Sequence, residues 1–304
     1  MFNINKIKSY LFKKIIRIQL ENFLKVASAQ IPSGSFVLDF ASSANKYSYI
    51  FEHTIYHGAD IELPKNIILN QNQFFTRADL NFNPFRSDIF DVVVCTNSID
   101  YVSSNLDKTK EAFENLLRNL KNDGSYITMH NSEWIYAKNY RQWILENFKD
   151  VKCYTYNGIL NRKINNLYLT LNKINDLWLK RILSISFYSL IFIFRSILIN
   201  LDKLLYFTHD CFFYVAKNKI NKSSKKTNIS EKYSDIFISI KNKKPLSKIE
   251  LNEVHKLTLN FIVKKYNCEI SEVNFLYGDS ENIYPVINNI VRITKEDEIN
   301  LKDI

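Results

Sequence analysis

Three aspartates, Asp39, Asp60 and Asp79, each end a short predicted strand in the first third of the chain. The first two strands are separated by a loop of small residues, 41–45, and a helix-like segment, and this order predicts one strand–helix–strand unit. In open α/β sheets, ligands bind beyond the carboxyl ends of the strands. We therefore expect the three carboxylates and the loop to border a ligand site. Each acid alone could equally cap a helix or end a strand, but three in succession weaken that explanation.

Asp100, His130 and Glu133 follow two later predicted strands and are candidates for proton transfer. A carboxylate or an imidazole within reach of a reacting group can act as a general base. The spacing of the three residues favours none of them, and His130 could equally be a hydrogen-bonded structural residue. The catalytic group therefore stays open at this point.

The elements that must position these residues alternate between apolar strands and one clear amphipathic helix. The fourth apolar run is bounded like a fully buried parallel strand, and the helix carries its apolar residues on one stripe. The predicted elements are strand 92–96, helix 107–120, a glycine-containing turn at 121–125, and strands 126–129, 151–156 and 211–217. This order predicts an α/β protein.

The stretch around the first two strands resembles the first two motifs of class I S-adenosylmethionine-dependent methyltransferases, of the methyltransferase type 11 kind. That family has a "V-L-D-x-G-x-G" turn, often followed by a tyrosine, and then an "x-G-x-D-I" strand end. Asp39 and Tyr47 match the first motif, and residues 58–61 match the second. Ala41 and Ser43 occupy the places of the two turn glycines.

Three later passages resemble the same family in the same order. Residues 83–93 resemble its approach to the fourth strand, and residues 120–124 correspond to its "L-K-P-G-G" turn. Residues 97–102 fall where many members have "x-x-L-E-H-V"; Asp100 keeps the acid and Tyr101 replaces the histidine. The resemblance implies a Rossmann-like, doubly wound, mostly parallel seven-stranded sheet with a helical insertion and a small C-terminal α+β domain.

The resemblance also implies S-adenosylmethionine as cofactor and a role for each matching position. The loop after the first strand would approach the methionine part, Asp60 would accept hydrogen bonds from both ribose hydroxyls, and Asp79 would face the adenine. The residue after the fourth strand would border the methyl-transfer pocket. The implied cofactor-binding residues are Asp39, Ala41, Ser42, Ser43, Tyr47, Asp60, Ile61, Asp79, Leu80 and Asn97.

Two functions remain open. The first is methyl transfer to an O or N acceptor, for which alignment supplies much of the rate because the sulfonium already activates the methyl group. The second is a catalytically inactive binding or regulatory protein on the same fold. The three retained acids favour the first. The replaced glycines favour the second, because a non-glycine residue in the left-handed region costs roughly 1–2 kcal/mol.

The C-terminal residues 233–304 form a predicted small domain after a lysine-rich linker, 218–232. They resemble a zinc-ribbon activator domain found beside some methyltransferases, but the ligands are replaced. Ser239 and Asn242 stand for the first pair, and Tyr277 and Ser280 for the second. Structural zinc needs four cysteine or histidine ligands, so we expect no metal here.

The remaining segments are predicted as an N-terminal helix, 1–30, of the methyltransferase-like domain 31–217, and a helical lid insertion, 157–210. The uncharged run 182–194 is too short to span a bilayer. The N-terminal helix either covers the sheet edge or lies on a membrane surface, and residues 180–201 are a second candidate for peripheral membrane contact.

Composition limits the partners only weakly. The chain has 304 residues, 46% of them hydrophobic, and a net charge of +10, which permits nucleic acid or anionic membrane partners without establishing either. A membrane- or RNA-associated adaptor is therefore a third function, favoured if residues 217–232 belong to one basic face. The N-terminus of the chain lacks the continuous apolar core of a signal peptide, so we expect a cytoplasmic protein, possibly membrane-associated. The cysteines are predicted to be reduced core residues: Cys95, Cys153, Cys211 and Cys268.

Overall fold

A computed structural model gives the architecture of most of the chain. It describes residues 19–43, 45–63, 67–96, 98–131, 134–156, 186, 211–220, 236–239, 243–254, 256–279 and 281–301. The predictions for Asn97, Glu133, Asn242 and Ser280, and for almost all of the 157–210 insertion and the 218–232 linker, concern residues outside these ranges.

Twelve strands of the described chain form one sheet in the order β6-β7-β5-β4-β1-β2-β3-β11-β10-β9-β8, with β12 paired to β10. Strands β1 to β5 are parallel to their neighbours among themselves, and β7 runs antiparallel between β5 and β6. The strands are β1 (Phe36–Phe40), β2 (Ile55–Asp60), β3 (Gln73–Ala78), β4 (Phe90–Thr96), β5 (Leu120–Asn131), β6 (Phe148–Tyr156), β7 (Cys211–Lys219), β8 (Ser247–Ile249), β9 (Val273–Gly278), β10 (Asn282–Ile287), β11 (Ile290–Ile293) and β12 (Ile299–Asn300). The first seven form the Rossmann-like, mostly parallel seven-stranded sheet that the sequence predicts.

Helices cover both faces of this sheet. One face packs against α1 (19–28 of the described residues) and the 3₁₀ turn Ser48–Phe51. The other face packs against α2 (Leu106–Asn119) and α3 (Ala137–Asn147). A further helix, α4 (Lys256–Tyr266), covers the C-terminal strands. The described part of α1 therefore lies on a face of the sheet rather than at its edge.

The C-terminal strands continue the central sheet. Strand β11 pairs in parallel with β3, and Val291 lies opposite Thr76. Residues from both halves also share one core, in which Phe237 packs against Phe85 and Tyr277. Tyr277, which stands where the zinc-ribbon domain has a metal ligand, is a buried core residue in β9.

Several local predictions differ from the structure. The helix-like segment after the first loop is a single 3₁₀ turn, and the predicted turn 121–125 is part of β5. Gly124 allows β5 to approach β4 closely there, because a Cβ on it would lie 2.9 Å from the carbonyl oxygen of Asp91. Cys95 is buried as predicted, but Cys153 is exposed and Cys268 is half-buried.

Candidate functional site

The loop after β1 adopts the backbone shape that glycine normally supplies. Ala41, Ser43 and Asn45 have φ values of 63°, 46° and 57°. This left-handed region is unfavourable for residues with a Cβ, although asparagine tolerates it better than most. Ala41 and Ser43 therefore keep the conformation expected of the glycines they replace.

Backbone hydrogen bonds hold this loop on the carboxyl end of β2. The N–H groups of Ala41 and Ser42 donate to the carbonyl oxygen of Ala59 over 2.6 and 3.1 Å. The N–H of Ser43 donates to Oδ2 of Asp60 over 2.9 Å. Three successive amides are thus fixed at the end of one strand, which offsets part of the backbone strain.

Asn45 fills the space above Gly58 on β2. A Cβ built on Gly58 would lie 1.6 Å from Asn45 Oδ1. Asn45 Nδ2 donates to the carbonyl oxygen of Phe74 over 3.1 Å, and the Ser42 hydroxyl donates to Asn45 Oδ1 over 3.3 Å. Because Gly58 has no Cβ, the side chain of Asn45 can pack directly against the face of the sheet at this position.

Asp60 stands at the end of β2 and is partly exposed. Besides the Ser43 amide on Oδ2, its Oδ1 accepts the N–H of Glu62 over 3.0 Å. A carboxylate offers about four lone-pair positions, so each oxygen can still accept one further hydrogen bond. The neighbouring Ile61 side chain is exposed.

Asp39 lies beneath the loop, buried on the face that α1 covers. Its carboxylate accepts a hydrogen bond from the hydroxyl of Tyr56 on β2. Burial raises the pKa of Asp39 to about 7, the charge of Asp60 adds to the rise, and the hydrogen bond from Tyr56 opposes it. Burial and the nearby Asp39 also raise the pKa of Tyr56 well above its ordinary value. The pKa of the Asp39 carboxyl group is therefore close to neutral pH.

Tyr47 and Leu80 belong to the two cores. Tyr47 is half-buried against the core beside α1, with the ammonium of Lys46 5.1 Å from its ring centroid. Leu80 is buried in the opposite core. Both residues thus flank the carboxyl edge with apolar surface.

Asp79 caps a short helix. Its Oδ1 accepts the backbone N–H of Asn81 over 2.9 Å and the side-chain amide of the same residue over 3.0 Å. This arrangement begins the 3₁₀ helix Leu80–Phe82. The capping role left open for each acid therefore applies to Asp79, which still lies at the edge where β3 ends.

Asp100 follows β4 in the 3₁₀ turn Ile99–Tyr101. Its Oδ1 is buried and accepts no hydrogen bond from any described residue. Burial raises the pKa of Asp100. Burial also raises the pKa of the Cys95 thiol to about 12, with smaller contributions from the charges of Asp39 and Asp100. Both carboxylates therefore act electrostatically on Cys95 in β4.

His130 lies near the end of β5 inside a cluster of aromatic rings. Its imidazole stacks on Phe212 and Tyr214 at centroid distances of 5.5 Å, and it meets Tyr140 edge-on at the same distance. The residue is buried. His130 is therefore part of a packed aromatic cluster in this structure.

Arg77 is a residue of this edge that sequence reasoning missed. Its Nε donates to the carbonyl oxygen of Ile61 over 3.1 Å, and its Nη1 donates to both carboxylate oxygens of Asp297 over 3.0 and 3.2 Å. Nη2 donates to Glu296 over 3.1 Å. Arg77 thus ties the segment after β11 to the residue that follows Asp60. No local pattern marks it, because its carboxylate partners Glu296 and Asp297 are 219 and 220 positions away.

No helix in the described part of the chain is long and apolar enough to cross a membrane. The described residues contain no group of three or more histidine, cysteine, aspartate or glutamate side chains placed to hold a metal ion.

No protein-family model and no curated protein matches the chain. Solved structures do resemble it. Phosphoethanolamine N-methyltransferase 2 of Haemonchus contortus, bound to S-adenosyl-L-methionine, is 13% identical with a TM-score of 0.41 over 66% of this chain and 52% of that chain. A SAM-dependent methyltransferase from Archaeoglobus fulgidus is 12% identical with a TM-score of 0.41 over 66% of this chain and 94% of that one.

The chain spans about half the length of the Haemonchus protein that it resembles. At these identities the similarity concerns the fold, and the activities belong to those proteins. The fold of this chain rests on the strand order and pairing described above.

Proposed function

We propose that this protein binds S-adenosylmethionine at the carboxyl edge of β1, β2 and β3 and transfers its methyl group to an O or N acceptor. The observation that carries the proposal is the placement of Asp60. It stands at the end of β2, next to a left-handed loop after β1, and it is partly exposed. Ligands of open α/β sheets bind at this edge.

The cofactor chemistry fits the residues at this edge. Asp60 retains two acceptor positions, one on each oxygen, and a ribose diol offers two hydroxyl donors. Bound S-adenosylmethionine supplies an activated methyl group on its sulfonium. The chain has to bind the cofactor and align an acceptor in line with that methyl group.

Asp100 is the best-placed general base among the described candidates. It lies in the 3₁₀ turn after β4, and burial raises its pKa above the ordinary value of a carboxyl group. A base with a pKa closer to the working pH transfers protons more effectively than an ordinary carboxylate. Its buried Oδ1, which has no described partner, is the oxygen assigned to the acceptor proton.

Calorimetric titration with S-adenosylmethionine and S-adenosylhomocysteine tests the binding step. Asp60→Ala should weaken both ligands by about tenfold or more, because it removes two charge-assisted hydrogen bonds. Asp123→Ala is the matched control, since Asp123 is an exposed acid near the start of β5, at the opposite edge. Equal affinity in the wild type and in Asp60→Ala would refute the placement of the ribose.

The same titration separates binding from catalysis. Asp100→Asn should bind S-adenosylhomocysteine as the wild type does, because Asp100 acts on the acceptor. In an acceptor screen it should lower kcat by about 100-fold or more at unchanged cofactor affinity. A variant with full activity would exclude Asp100 as the base.

A second function is favoured by the plug above Gly58. Asn45 occupies the sheet face, and the Ser43 amide is already bonded to Asp60. On this alternative the protein is a catalytically inactive binding or regulatory protein with the same fold. Absence of binding by folded protein at millimolar cofactor would support it over the enzyme.

A further inference from the structure

Arg118, in the last turn of α2, has a buried guanidinium edge that no described residue satisfies. Its Nε and Nη2 are both buried and donate to no described acceptor. These two nitrogens form the side-on fork of the guanidinium, which matches two oxygens of one carboxylate or phosphate group. A buried charged donor without a partner is costly, so the fork is arranged for an anion.

The end of α2 does not need Arg118 as a cap. The ammonium of Lys219 donates to the carbonyl oxygens of Leu117 and Leu120 over 3.1 and 2.9 Å. It also contacts Oδ1 of Asp88 at 3.4 Å. Because Lys219 already supplies a cation to the helix terminus, the Nε and Nη2 groups of Arg118 are not required to stabilise it.

A second cation, Lys243, follows a segment that packs beside the end of α2. Lys243 belongs to a turn, named here the C-terminal turn, that is closed by two backbone hydrogen bonds of Ser239. The Ser239 N–H donates to Lys244 over 2.8 Å, and the Ser239 carbonyl accepts from Lys243 over 3.0 Å. Lys243 has a φ of 59°, and the Ser239 hydroxyl is buried without a described partner. A strained residue in a fixed turn is a pointer to function.

Electrostatics connects the two cations. Burial lowers the pKa of the Lys243 ammonium, and the charge of Arg118 lowers it further. Glu111, on α2, opposes this effect. Burial also lowers the pKa of Arg118. An anion bound beside both residues would stabilise the charge of the half-buried Arg118 and of the exposed Lys243.

The two cations lie at the opposite edge of the sheet from the candidate functional site. Helix α2 ends where β5 begins, which is the amino edge of the parallel strands. Asn119 Nδ2 donates to the carbonyl oxygens of Phe85 and Arg86 over 3.0 Å, and the Arg86 amide donates to Ile236 over 2.8 Å. These bonds hold the segment before the C-terminal turn, residues 236–238, beside the end of α2.

We propose that Arg118 and Lys243 form a second binding site, which takes a phosphate group. The fork fits two oxygens of the ligand, and the ammonium reaches a third as a point charge. Phosphate is favoured over carboxylate by charge, because a phosphomonoester carries about −1.5 to −2 at pH 7 and faces two cations. The site is independent of S-adenosylmethionine binding.

Titration with inorganic phosphate at low ionic strength tests the site on the full chain. The wild type should bind phosphate with a Kd of about 1 mM or tighter. Arg118→Gln and Lys243→Gln should each weaken it by about tenfold, and Arg118→Lys by about fivefold because it keeps the charge but loses the fork. Lys108→Gln, an exposed cation on the same helix, should bind as the wild type does. Thermal unfolding without phosphate checks that every variant is folded.

The source of the phosphate is distinguished with vesicles. Cosedimentation with phosphatidic acid vesicles that is lost in Arg118→Gln assigns the site to a lipid headgroup. Phosphate binding without cosedimentation assigns it to a soluble phosphate. No saturable phosphate binding up to about 20 mM, or equal binding in Arg118→Gln, overturns the proposal. Equal binding in Arg118→Lys overturns the role of the fork.

Discussion

The loop 41–45 after β1 and the C-terminal turn closed by Ser239 both contain non-glycine residues at positive φ. They differ in whether their polar groups have hydrogen-bond partners. In the loop, the Ser43 amide is bonded to Asp60 and the Asn45 side chain to the Phe74 carbonyl. Around the C-terminal turn, the Ser239 hydroxyl and the Arg118 fork have no partner among the described residues.

A ligand would therefore bind differently at the two places. At the loop, the Ser43 amide and the Asn45 side chain already have partners, so a ligand must use the acceptor positions that Asp60 retains or displace part of the loop. At the C-terminal turn, a ligand adds hydrogen bonds that are missing, so it should stabilise the fold directly.

The largest effect is expected at the buried acid beneath the loop. The pKa of Asp39 is about 7 when folded against an ordinary 3.8, so between these pH values the folded protein binds more protons than the unfolded chain. The free energy of unfolding should therefore fall by up to a few kcal/mol as pH rises from about 4 to about 7. Chemical denaturation across this range measures the slope.

Asp39→Asn isolates that contribution. The variant keeps an acceptor for the Tyr56 hydroxyl but cannot ionise, so its stability should depend less on pH than that of the wild type. Asp123→Asn, at an exposed site, should leave the slope unchanged. Identical slopes in Asp39→Asn and the wild type would show that Asp39 does not titrate in this window.

A smaller effect is expected from Gly58→Ala, which collides with the Asn45 plug. The new Cβ would lie 1.6 Å from Asn45 Oδ1, so Asn45 must leave its site and lose its bond to the Phe74 carbonyl. We expect a loss of about 2–3 kcal/mol in the free energy of unfolding, from the lost hydrogen bonds and the displaced loop.

A double-mutant cycle with Asn45→Gly tests the plug itself. Asn45→Gly permits the left-handed backbone and removes the side chain that clashes. The double variant should lose clearly less stability than the sum of the two single variants. Additive losses would mean that Asn45 does not fill the space above Gly58.

The smallest effect is expected from glycine placed at the strained positions. Ala41→Gly or Ser43→Gly relieves roughly 1–2 kcal/mol of strain but adds roughly 0.4–1 kcal/mol of unfolded-state entropy, for a net gain of about 0.5–1 kcal/mol. Lys243→Gly should gain similar stability and lose phosphate binding. A Lys243→Gly variant that still binds phosphate as the wild type does would remove the contrast between the two turns.

The first part of the fold could be predicted because its signals are local. Apolar runs ended by acids give β1, β2 and β3, and the apolar stripe gives α2 to within one residue at each end. The segment around Tyr47 forms only a 3₁₀ turn, because the loop before it stays folded on β2. Phe51 is buried in the core beside α1 and Tyr47 packs against it, whereas Tyr49 is exposed.

The continuation of the sheet could not be predicted from local patterns. Periodicity identifies β11 as a strand, but it does not say that its partner is the edge of β3. The contacts of Asn45 with Gly58 and of Tyr56 with Asp39 likewise join residues through space. The sequence could place Asp60 at a strand end, but not the amides that hold its carboxylate.

The pairing of β3 with β11 has a consequence for synthesis of the chain. Arg77 and its partner Asp297 are 220 positions apart, so a ribosome adding about 5–20 residues per second needs on the order of 10–40 s between them. During that time β3 is an open strand edge on the nascent protein, a template for wrong pairing. Release of a correctly paired molecule therefore depends on the last strands arriving before another chain does.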